Sequence, residues 1–383
     1  MTSQTLRSYC RTTLNVLTRN LIPEYLRKPL VAEFYRVKAA GINRTAPFAP
    51  RTAEDLLDWR KTMSYSFECS KGPYRGNSFY GAARAFEKYA NYYSSVKACI
   101  EHGVYFGNYV NKSELDESGL PCLITFGPAR VRHVHDVSNV PVVPVGPYIA
   151  YAEDYLNDKE KGKLKSKLGK VLLVFPSHSV DRVSVSFEFE NLCSKINQVK
   201  NSEEIDTVLI SLYFKDINNG LARAYEDKGY RVVTNGYRED VLFLPRLKTL
   251  IEVSDLTMSN SVGTHVGYCA FLNTPHMVFN QEKIYKADSA IDRVEFDNIY
   301  ASQVLKEKDD VATAFASFTD CLSEDQVRVC NQYWGFQDVL DRRGMCRLLE
   351  ELDNAYKYKP SSRQNAFLKS YSGQKRNLGE SIE

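Results

Sequence analysis

A series of short apolar segments in the second half of the chain constrains its fold more than any other feature. These segments are Lys170–Pro176, Thr207–Tyr213, Tyr230–Thr234, Leu256–Ser259 and His276–Phe279, and helix-like stretches separate them. Apolar strands that alternate with helices form parallel sheets with helices on both faces. The series therefore predicts a doubly wound α/β domain, in which ligands bind beyond the carboxyl ends of the strands.

The first half repeats this pattern less regularly. Leu120–Phe126 and Val140–Val145 have the composition of buried strands, and a Gly-Pro turn follows each of them. They indicate a second parallel α/β layer. Helices are predicted over residues 1–40, 79–100, 186–200, 218–228, 243–253, 263–272 and 323–357. A further helix is predicted to start at the capping box of Thr52.

Residues 154–170 are the best candidate for a domain boundary, and they contain six lysines. The same stretch is also compatible with a solvated helix or with a patch that faces a membrane. As a linker, it divides the chain into an N-terminal domain (1–153), a C-terminal domain (171–340), and a C-terminal helix with a polar tail (341–383).

Composition excludes several classes of protein. The 383 residues carry a formal net charge of only +3, which gives no strong field for nucleic acid. No run of about 18 apolar residues is present, and the N-terminus lacks the apolar core of a secretory signal. The nine cysteines are widely spaced without a CxxC pair, so we expect reduced, mostly buried thiols in a cytoplasmic protein. The basic segment 1–28 favours a surface helix, with peripheral attachment to the membrane as the alternative.

The stretch Leu256–Leu272 combines a buried strand, a turn of small residues and the start of a helix at Gly263–Thr264. The first turn of a helix offers unpaired N–H groups and the positive end of the dipole, so it can bind an anion. Small and hydroxyl side chains would let a phosphate approach closely, and here they are Ser259, Asn260, Ser261, Gly263 and Thr264. The same residue types are ordinary helix caps. The neighbouring strand ends at Ser177–His178 and Asn235–Gly236 favour the ligand site.

Three histidines could take part in chemistry near these strand ends. His178 follows a strand and a proline, where a neutral imidazole could act as a general base, bind a phosphate, or only cap the strand. His265 lies in the first turn of the next helix and could face either the ligand or Tyr268 in the core. His102 could be a base on the opposite domain or a helix C-cap.

Signatures of metal and cofactor sites are missing. His133 and His135 would face the same side of a strand, but no third ligand can be located, so we expect no metal. The sequence has no GxGxxG, Walker or GxSxG motif and no convincing DxD at a strand end. No cofactor is therefore expected. If a nucleotide binds, helix N-termini and basic or hydroxyl side chains must carry the phosphate charge.

Several stretches together resemble bacterial glycosyltransferases of the GT-B fold, in particular those of capsule or lipopolysaccharide assembly. They are FPSHS (175–179), NGYREDVLFLPRL (235–247) and IEVSDLTMSNSVGTHVGYCAFLNTPHMV (251–278), with HGVYFGNYV (102–110) and VGPYIAYA (145–152) fitting the N-terminal part of the same group. The resemblance covers roughly residues 100–280. It implies two Rossmann-like domains facing a cleft, with a nucleotide-sugar donor on the C-terminal domain and a glycan or lipid-linked acceptor on the N-terminal domain.

The resemblance also implies roles for individual residues. Donor phosphate would contact Ser259, Asn260, Ser261, Gly263 and Thr264, with His265 nearby, while Asn235 and Gly236 would lie beside the base or ribose. His178 would lie near the phosphate or act catalytically, and His102 would be the base on the acceptor side. A hydroxyl and a histidine at the phosphate are similar to both CMP-sugar and CDP-glycerol-type transferases. The His-Pro pair of several sialyltransferase families is absent, because Ser179 follows His178.

These roles predict a metal-independent glycosyltransferase of surface-polysaccharide biosynthesis. One alternative is a sugar-nucleotide epimerase on the same fold. Another is a non-catalytic component of a polysaccharide assembly complex. Donor, acceptor, linkage, stereochemistry and oligomeric state stay open at this point.

Overall fold

The computed structural model describes residues 47–72, 74–110, 120–179, 183–287 and 301–357. The predicted helix at 1–40, with the basic segment 1–28, and the polar tail from residue 358 lie outside these ranges. Within them, no helix is both long and apolar enough to cross a membrane.

The N-terminal half is built around a small parallel sheet. Its strands are β1 (Cys99–Ile100), β2 (Leu123–Thr125) and β3 (Val142–Pro144), in the order β1–β2–β3. Its helices are α1 (Ala53–Leu56), α2 (Trp59–Ser64), α3 (Ala82–Tyr89) and α4 (Pro128–His135), with 3-10 turns at Arg75–Gly81 and Tyr148–Tyr151. The two strands predicted here are confirmed. So is the helix at Thr52, whose hydroxyl accepts a hydrogen bond from the Asp55 N–H at 3.2 Å.

The lysine-rich stretch contains a helix, α5 (Asp158–Leu168). A capping box at Asn157 and Glu160 starts it, and Leu164 and Leu168 are buried. Of the three interpretations offered by the sequence, a solvated helix describes these residues. The use of 154–170 as a domain boundary stays a prediction.

The C-terminal half contains the five-stranded parallel sheet that the apolar segments predicted. In chain order its strands are β4 (Val171–Phe175), β6 (Thr207–Ser211), β7 (Arg231–Val233), β8 (Leu256–Ser259) and β9 (His276–Val278). Strand β5 (Val183–Phe187) lies between β4 and β6 in the chain but outside this sheet. The spatial order is β7–β6–β4–β8–β9, which is that of a doubly wound sheet. Leu172 and Leu173 belong to different core clusters, because successive side chains of a strand point to opposite faces. Helices cover both faces, and the two halves form two Rossmann-like domains, as predicted.

The helices of this sheet are α6 (Phe189–Ser202), α7 (Phe214–Asn218), α8 (Leu221–Asp227), α9 (Phe243–Glu252) and α10 (Thr264–Phe271). The helices predicted at 243–253 and 263–272 are confirmed. The helix predicted at 186–200 begins later, because residues 183–187 form β5. This strand pairs with β10 (Lys283–Ala287) in an antiparallel ribbon that the sequence did not reveal.

The last described segment crosses back to the N-terminal half. It contains α11 (Ser302–Ala314), α12 (Glu324–Val329), a π-helical turn at Cys330–Trp334, a 3-10 turn at Phe336–Asp338 and α13 (Arg342–Lys357). The predicted helical segment 323–357 is mostly helical, but it is divided into several pieces. Gly335 interrupts it with φ +66°, and a Cβ there would lie 2.4 Å from the Phe126 carbonyl oxygen.

Two predictions in the N-terminal half are wrong. The helix at 79–100 ends at Tyr89, close to Asn91 with its positive φ, and the chain then extends into β1. His133 and His135 lie on α4 and not on a strand, so they do not share a face. The expectation of buried thiols is confirmed for six of the eight described cysteines: Cys69, Cys99, Cys122, Cys193, Cys269 and Cys330.

Glu87 on α3 should make stability depend on pH. Its side chain is 8% exposed, Oε1 has no hydrogen-bond partner, and burial raises its pKa to about 7. A carboxyl pKa raised in the folded state means that protonation favours folding, so this stabilisation is present at low pH and is lost as pH rises towards 7. We expect up to about 3 kcal/mol of unfolding free energy to be lost between pH ~5 and ~7.5.

Urea unfolding at several pH values tests this expectation. Glu87→Gln should flatten the fall in unfolding free energy over that range, whereas Glu54→Gln, at an exposed position of α1, should retain it. An equally steep fall in Glu87→Gln would contradict the assignment.

Candidate functional site

Asn260 holds the ends of two central strands together. It follows β8 and is fully buried. Its Oδ1 accepts hydrogen bonds from the N–H and the hydroxyl of Ser177, at 2.6 and 2.9 Å. Its Nδ2 donates to Gln281 Oε1 at 3.0 Å. The Ser177 hydroxyl also lies 2.9 Å from that of Ser261, so the predicted convergence of these two strand ends is a direct hydrogen-bond network.

Ser259 is part of the interior of this network. Its side chain is fully buried, and its hydroxyl donates to the Ser261 carbonyl at 2.8 Å. His276 on β9 lies 3.1 Å from this hydroxyl through Nε2 and 2.9 Å from the Thr257 hydroxyl through Nδ1. Ser259 and Asn260 are both fully buried, so their side chains hold the loop in shape. Ser261 and Thr264 are partly accessible to solvent.

His265 packs against the sheet edge beside the start of α10. Its ring stacks on Phe175, the last residue of β4, with centroids 4.8 Å apart, and lies 5.6 Å from the His276 ring. Its Nε2 is buried without a hydrogen-bond partner. Burial, and then the charge of His178, lower the pKa of His265 to about 3. The imidazole is therefore neutral near pH 7, and it rests against Phe175 rather than Tyr268.

His178 lies just beyond the carboxyl end of β4. Its ring lies 4.7 Å from that of Tyr213, which follows β6. The side chain is accessible to solvent, while desolvation by the surrounding protein lowers its pKa and Asp216 opposes that shift. Asp216 itself accepts a long hydrogen bond from the Ser179 N–H at 3.4 Å. Burial thus favours the neutral imidazole of His178, and it also raises the pKa of the neighbouring Asp216. A neutral imidazole suits proton transfer or phosphate binding.

A loop of the N-terminal domain lies directly on the start of α10. The Val104 N–H donates to Thr264 Oγ1 at 3.0 Å, and a Cβ on Gly103 would lie 3.1 Å from the same oxygen. This loop follows β1, so the carboxyl ends of the two sheets face each other across it. His102 directly precedes Gly103 in this loop, so it lies near the helix start that was predicted to bind phosphate.

Aromatic side chains surround His102. Its Nε2 lies 3.0 Å from the Tyr105 hydroxyl, and its ring meets the edge of Phe79 with centroids 5.3 Å apart. Tyr80 stands 6.2 Å away and contacts Phe243 of the other domain at 4.8 Å. Tyr80 has φ +57°, which is a strained backbone conformation for a bulky residue. Strain of this kind clusters at functional sites.

A buried ion pair, which was not predicted from the sequence, fixes the loop that carries His102. Glu101 and Arg130 are 0% and 3% exposed, with Oε1 and Nη2 2.6 Å apart. Arg130 also donates to the carbonyl oxygens of Gly107 and Tyr109, at 3.2 and 2.9 Å. The sequence does contain the signal, because Glu101 directly follows an apolar pair and Arg130 lies in an otherwise apolar helical turn.

Asn235 and Gly236 lie at the end of β7, three strand positions from β8 in the sheet order. At about 4.8 Å per strand this is roughly 14 Å, so they do not touch the start of α10. Gly236 has φ +90°. The Asn235 carbonyl accepts from Arg246, which forms a buried ion pair with Asp240 at 2.6 Å. The Asn235 side chain is 7% exposed, and its Oδ1 has no hydrogen-bond partner.

The structure thus brings most of the predicted residues to one edge. Seven of them lie around the ends of β4 and β8, with His102 opposite them. These seven are Ser259, Asn260, Ser261, Gly263, Thr264, His265 and His178. Asn235 and Gly236 stand apart, along the same edge. Among the residues that the structure describes, no group of three His, Cys, Asp or Glu side chains could hold a metal ion. A surface hollow of about 450 Å³ beside Asn157 contains none of the predicted residues.

No protein-family model matches the chain, and no curated protein matches it in sequence. Solved structures with a similar arrangement include S. aureus MnaA with UDP and the wall teichoic acid polymerase TagF. MnaA is 13% identical over 69% of this chain and 68% of its own, with a TM-score of 0.34. TagF is 14% identical over 62% of this chain and 59% of its own, with a TM-score of 0.35. TM-scores this low carry no argument about this chain. Its strand order and the geometry of its strand ends define an α/β protein of two Rossmann-like domains.

Asn260→Ala should destabilise the whole edge. The substitution leaves the half-buried Ser177 N–H and the buried Gln281 Oε1 without their partner. Each such loss costs about 1–3 kcal/mol. We expect the free energy of unfolding to fall by about 2–4 kcal/mol in urea titrations. Asn201→Ala, on the exposed side of α6, should change it by less than about 0.5 kcal/mol. Similar values for the two variants would show that Asn260 does not hold the strand ends.

Proposed function

We propose that the chain is a glycosyltransferase that moves a sugar from a nucleotide-activated donor to a surface-polysaccharide or lipid-linked glycan acceptor. The proposal combines the GT-B resemblance of residues 100–280 with one observation. The loop that carries His102 is hydrogen-bonded to the first residue of α10, at 3.0 Å between Val104 N and Thr264 Oγ1. The proposed base on one domain would thus lie next to the proposed anion site on the other, as group transfer between two substrates requires.

The donor phosphate would bind at the first turn of α10. The first N–H groups of a helix have no partner within the helix and attract negative charge. Thr264 Oγ1 accepts from Val104, so its own proton can be donated to a phosphate oxygen. Ser261 and Gly263 would line the approach, while Ser259 and Asn260 would hold the loop in shape. This arrangement stabilises the leaving nucleotide without requiring a metal.

His102 would remove the proton from the attacking acceptor hydroxyl. The Glu101–Arg130 pair holds the backbone on which it is mounted, and Tyr105 orients its ring. His178, beyond the end of β4, would lie near the donor phosphate. Asn235 and Gly236, at the far end of the same edge, would contact the base or ribose.

His102→Ala tests the catalytic role. General-base catalysis typically contributes a factor of about 10²–10⁴, so we expect turnover to fall at least 100-fold. Nucleotide binding, read as the rise in melting temperature with CMP, UDP, GDP or CDP, should stay close to that of the wild type. His135→Ala on α4, away from the strand edge, is the matched control and should keep full turnover.

The outcomes separate this function from its rivals. Full turnover in His102→Ala would remove the base assignment. Isomerised nucleotide sugar without any acceptor would support an epimerase instead. No response of the wild type to any nucleotide would support a non-catalytic role.

A further inference from the structure

His276 on β9 lies in the middle of a buried chain of hydrogen bonds. Its side chain is 3% exposed, and its ring lies 5.6 Å from that of His265 and 6.2 Å from that of Phe315. Its Nδ1 is 2.9 Å from the Thr257 hydroxyl, and its Nε2 is 3.1 Å from the Ser259 hydroxyl. Each ring nitrogen therefore has a hydroxyl of β8 as its partner.

Each of the two hydroxyls also reaches a backbone carbonyl. Thr257 Oγ1 is 3.0 Å from the Pro275 carbonyl oxygen, and Ser259 Oγ is 2.8 Å from the Ser261 carbonyl oxygen. The chain thus runs from Pro275 through Thr257, His276 and Ser259 to Ser261. It has four links, and each link needs one proton.

The chain contains one proton too few for all of its links. Each hydroxyl supplies one proton, and a neutral imidazole supplies one more. Burial, and then the charge of His265, lower the pKa of His276 well below its usual range, so the ring is neutral near pH 7. The link without a proton must lie at one end, because a missing proton beside the ring would bring two lone pairs together.

The link without a proton is the one to Pro275. The Pro275 carbonyl also accepts the Thr257 N–H at 2.8 Å, so it stays hydrogen-bonded when the Thr257 hydroxyl turns towards Nδ1. The opposite arrangement would turn the Ser259 hydroxyl away from the Ser261 carbonyl and lose that hydrogen bond. His276 therefore holds its proton on Nε2 and donates it to Ser259, whose hydroxyl donates to Ser261.

Ser261 connects this chain to the predicted phosphate site. It lies in the loop of residues 260–263, between β8 and α10, which we call the anion loop. Its side chain is partly accessible to solvent, and its hydroxyl lies 2.9 Å from that of Ser177. A hydrogen bond to its carbonyl fixes the peptide plane between Ser261 and Val262, and with it the path of the backbone into α10.

We infer that His276 is a positioning residue for the anion loop. From Nε2 it directs the Ser259 hydroxyl onto the Ser261 carbonyl, and so holds the loop in the shape that receives the donor phosphate. The inference rests on the proposed function for the identity of that ligand. It assigns unequal roles to two hydroxyls of one strand, because Ser259 lies between His276 and the loop, while Thr257 lies on the other side of the ring.

The two hydroxyls of β8 give a matched pair of variants. Ser259→Ala removes the link between the imidazole and Ser261, while Thr257→Val removes the hydroxyl at Nδ1 and retains that link. The full chain is titrated calorimetrically with pyrophosphate, UDP, CDP and GDP. Ser259→Ala should bind the ligands that the wild type binds about 5- to 10-fold more weakly. Thr257→Val should stay within about 2-fold of the wild type, and Ser259→Thr, which retains the hydroxyl, should recover most of the affinity.

Nitrogen-15 spectra of histidine-labelled protein show the tautomer without any ligand. The His276 signals are assigned by their absence in His276→Phe. We expect the proton on Nε2 in the wild type and in Thr257→Val. In Ser259→Ala it should move to Nδ1, because the two remaining links, from Nδ1 to Thr257 and from Thr257 to Pro275, then both have a proton. A histidine that only fills the core would show no such change.

His276→Phe removes the imidazole itself. It should weaken ligand binding about as much as Ser259→Ala, and the double variant should bind like either single variant, because both changes interrupt the same chain. Melting temperatures without ligand identify a variant that fails to fold. If His276→Phe fails to fold, the affinities of Ser259→Ala and Thr257→Val decide.

Equal losses of affinity in Ser259→Ala and Thr257→Val overturn the inference, and so does a wild-type proton on Nδ1. Unequal losses for pyrophosphate, without glycosyl transfer from any donor, would support the role of His276 and remove the glycosyltransferase. Glycosyl transfer with equal losses in the two variants would do the reverse. Absence of pyrophosphate and nucleotide binding in the wild type overturns both.

Discussion

The contact between the Val104 N–H and the Thr264 hydroxyl joins the two halves of the molecule where they carry chemistry. Neighbouring groups pack very closely on both sides of α10. Gly103 lies against Thr264, and on the other side Trp334 covers Gly267, where a Cβ would lie 2.2 Å from the indole ring. The same indole donates to the Thr264 carbonyl at 3.0 Å. The first turn of α10 is thus fixed by the N-terminal loop on one side and by the returning C-terminal segment on the other.

Buried polar groups hold this arrangement in place. The Glu101–Arg130 pair fixes the loop of one domain, and Asn260 fixes the strand ends of the other. A buried ion pair adds little net stability compared with apolar packing, but breaking it by removing one partner is costly. Such groups therefore define one geometry of the edge rather than simply strengthening it. The unpartnered oxygen of Asn235 and nitrogen of His265 are exceptions on the same edge, and unsatisfied groups are common where a ligand completes the network.

The sequence predicts the second domain well, because strands buried on both faces are continuous apolar runs that end at small or polar residues. Its five strands are where the pattern places them. The failures have physical causes that the pattern does not contain. Strand β1 has only two residues, and no glycine or proline separates it in sequence from the preceding helix, so it was included in that helix. The burial of Ser259 and Asn260 depends on β9 and Gln281, which are distant in sequence.

Helix α13 has a consequence for how the molecule can be divided. It follows the second domain in sequence, yet Met345, Leu348, Leu349 and Leu352 are buried in the core cluster that extends through the first domain. The Leu340 N–H donates to the Tyr151 hydroxyl at 2.8 Å, just before this helix begins. A fragment that stops at the end of the first sheet would therefore expose apolar surface that residues nearly two hundred positions later normally cover. The chain is two domains in architecture, but the core of the first domain is complete only when residues 345–352 pack into it.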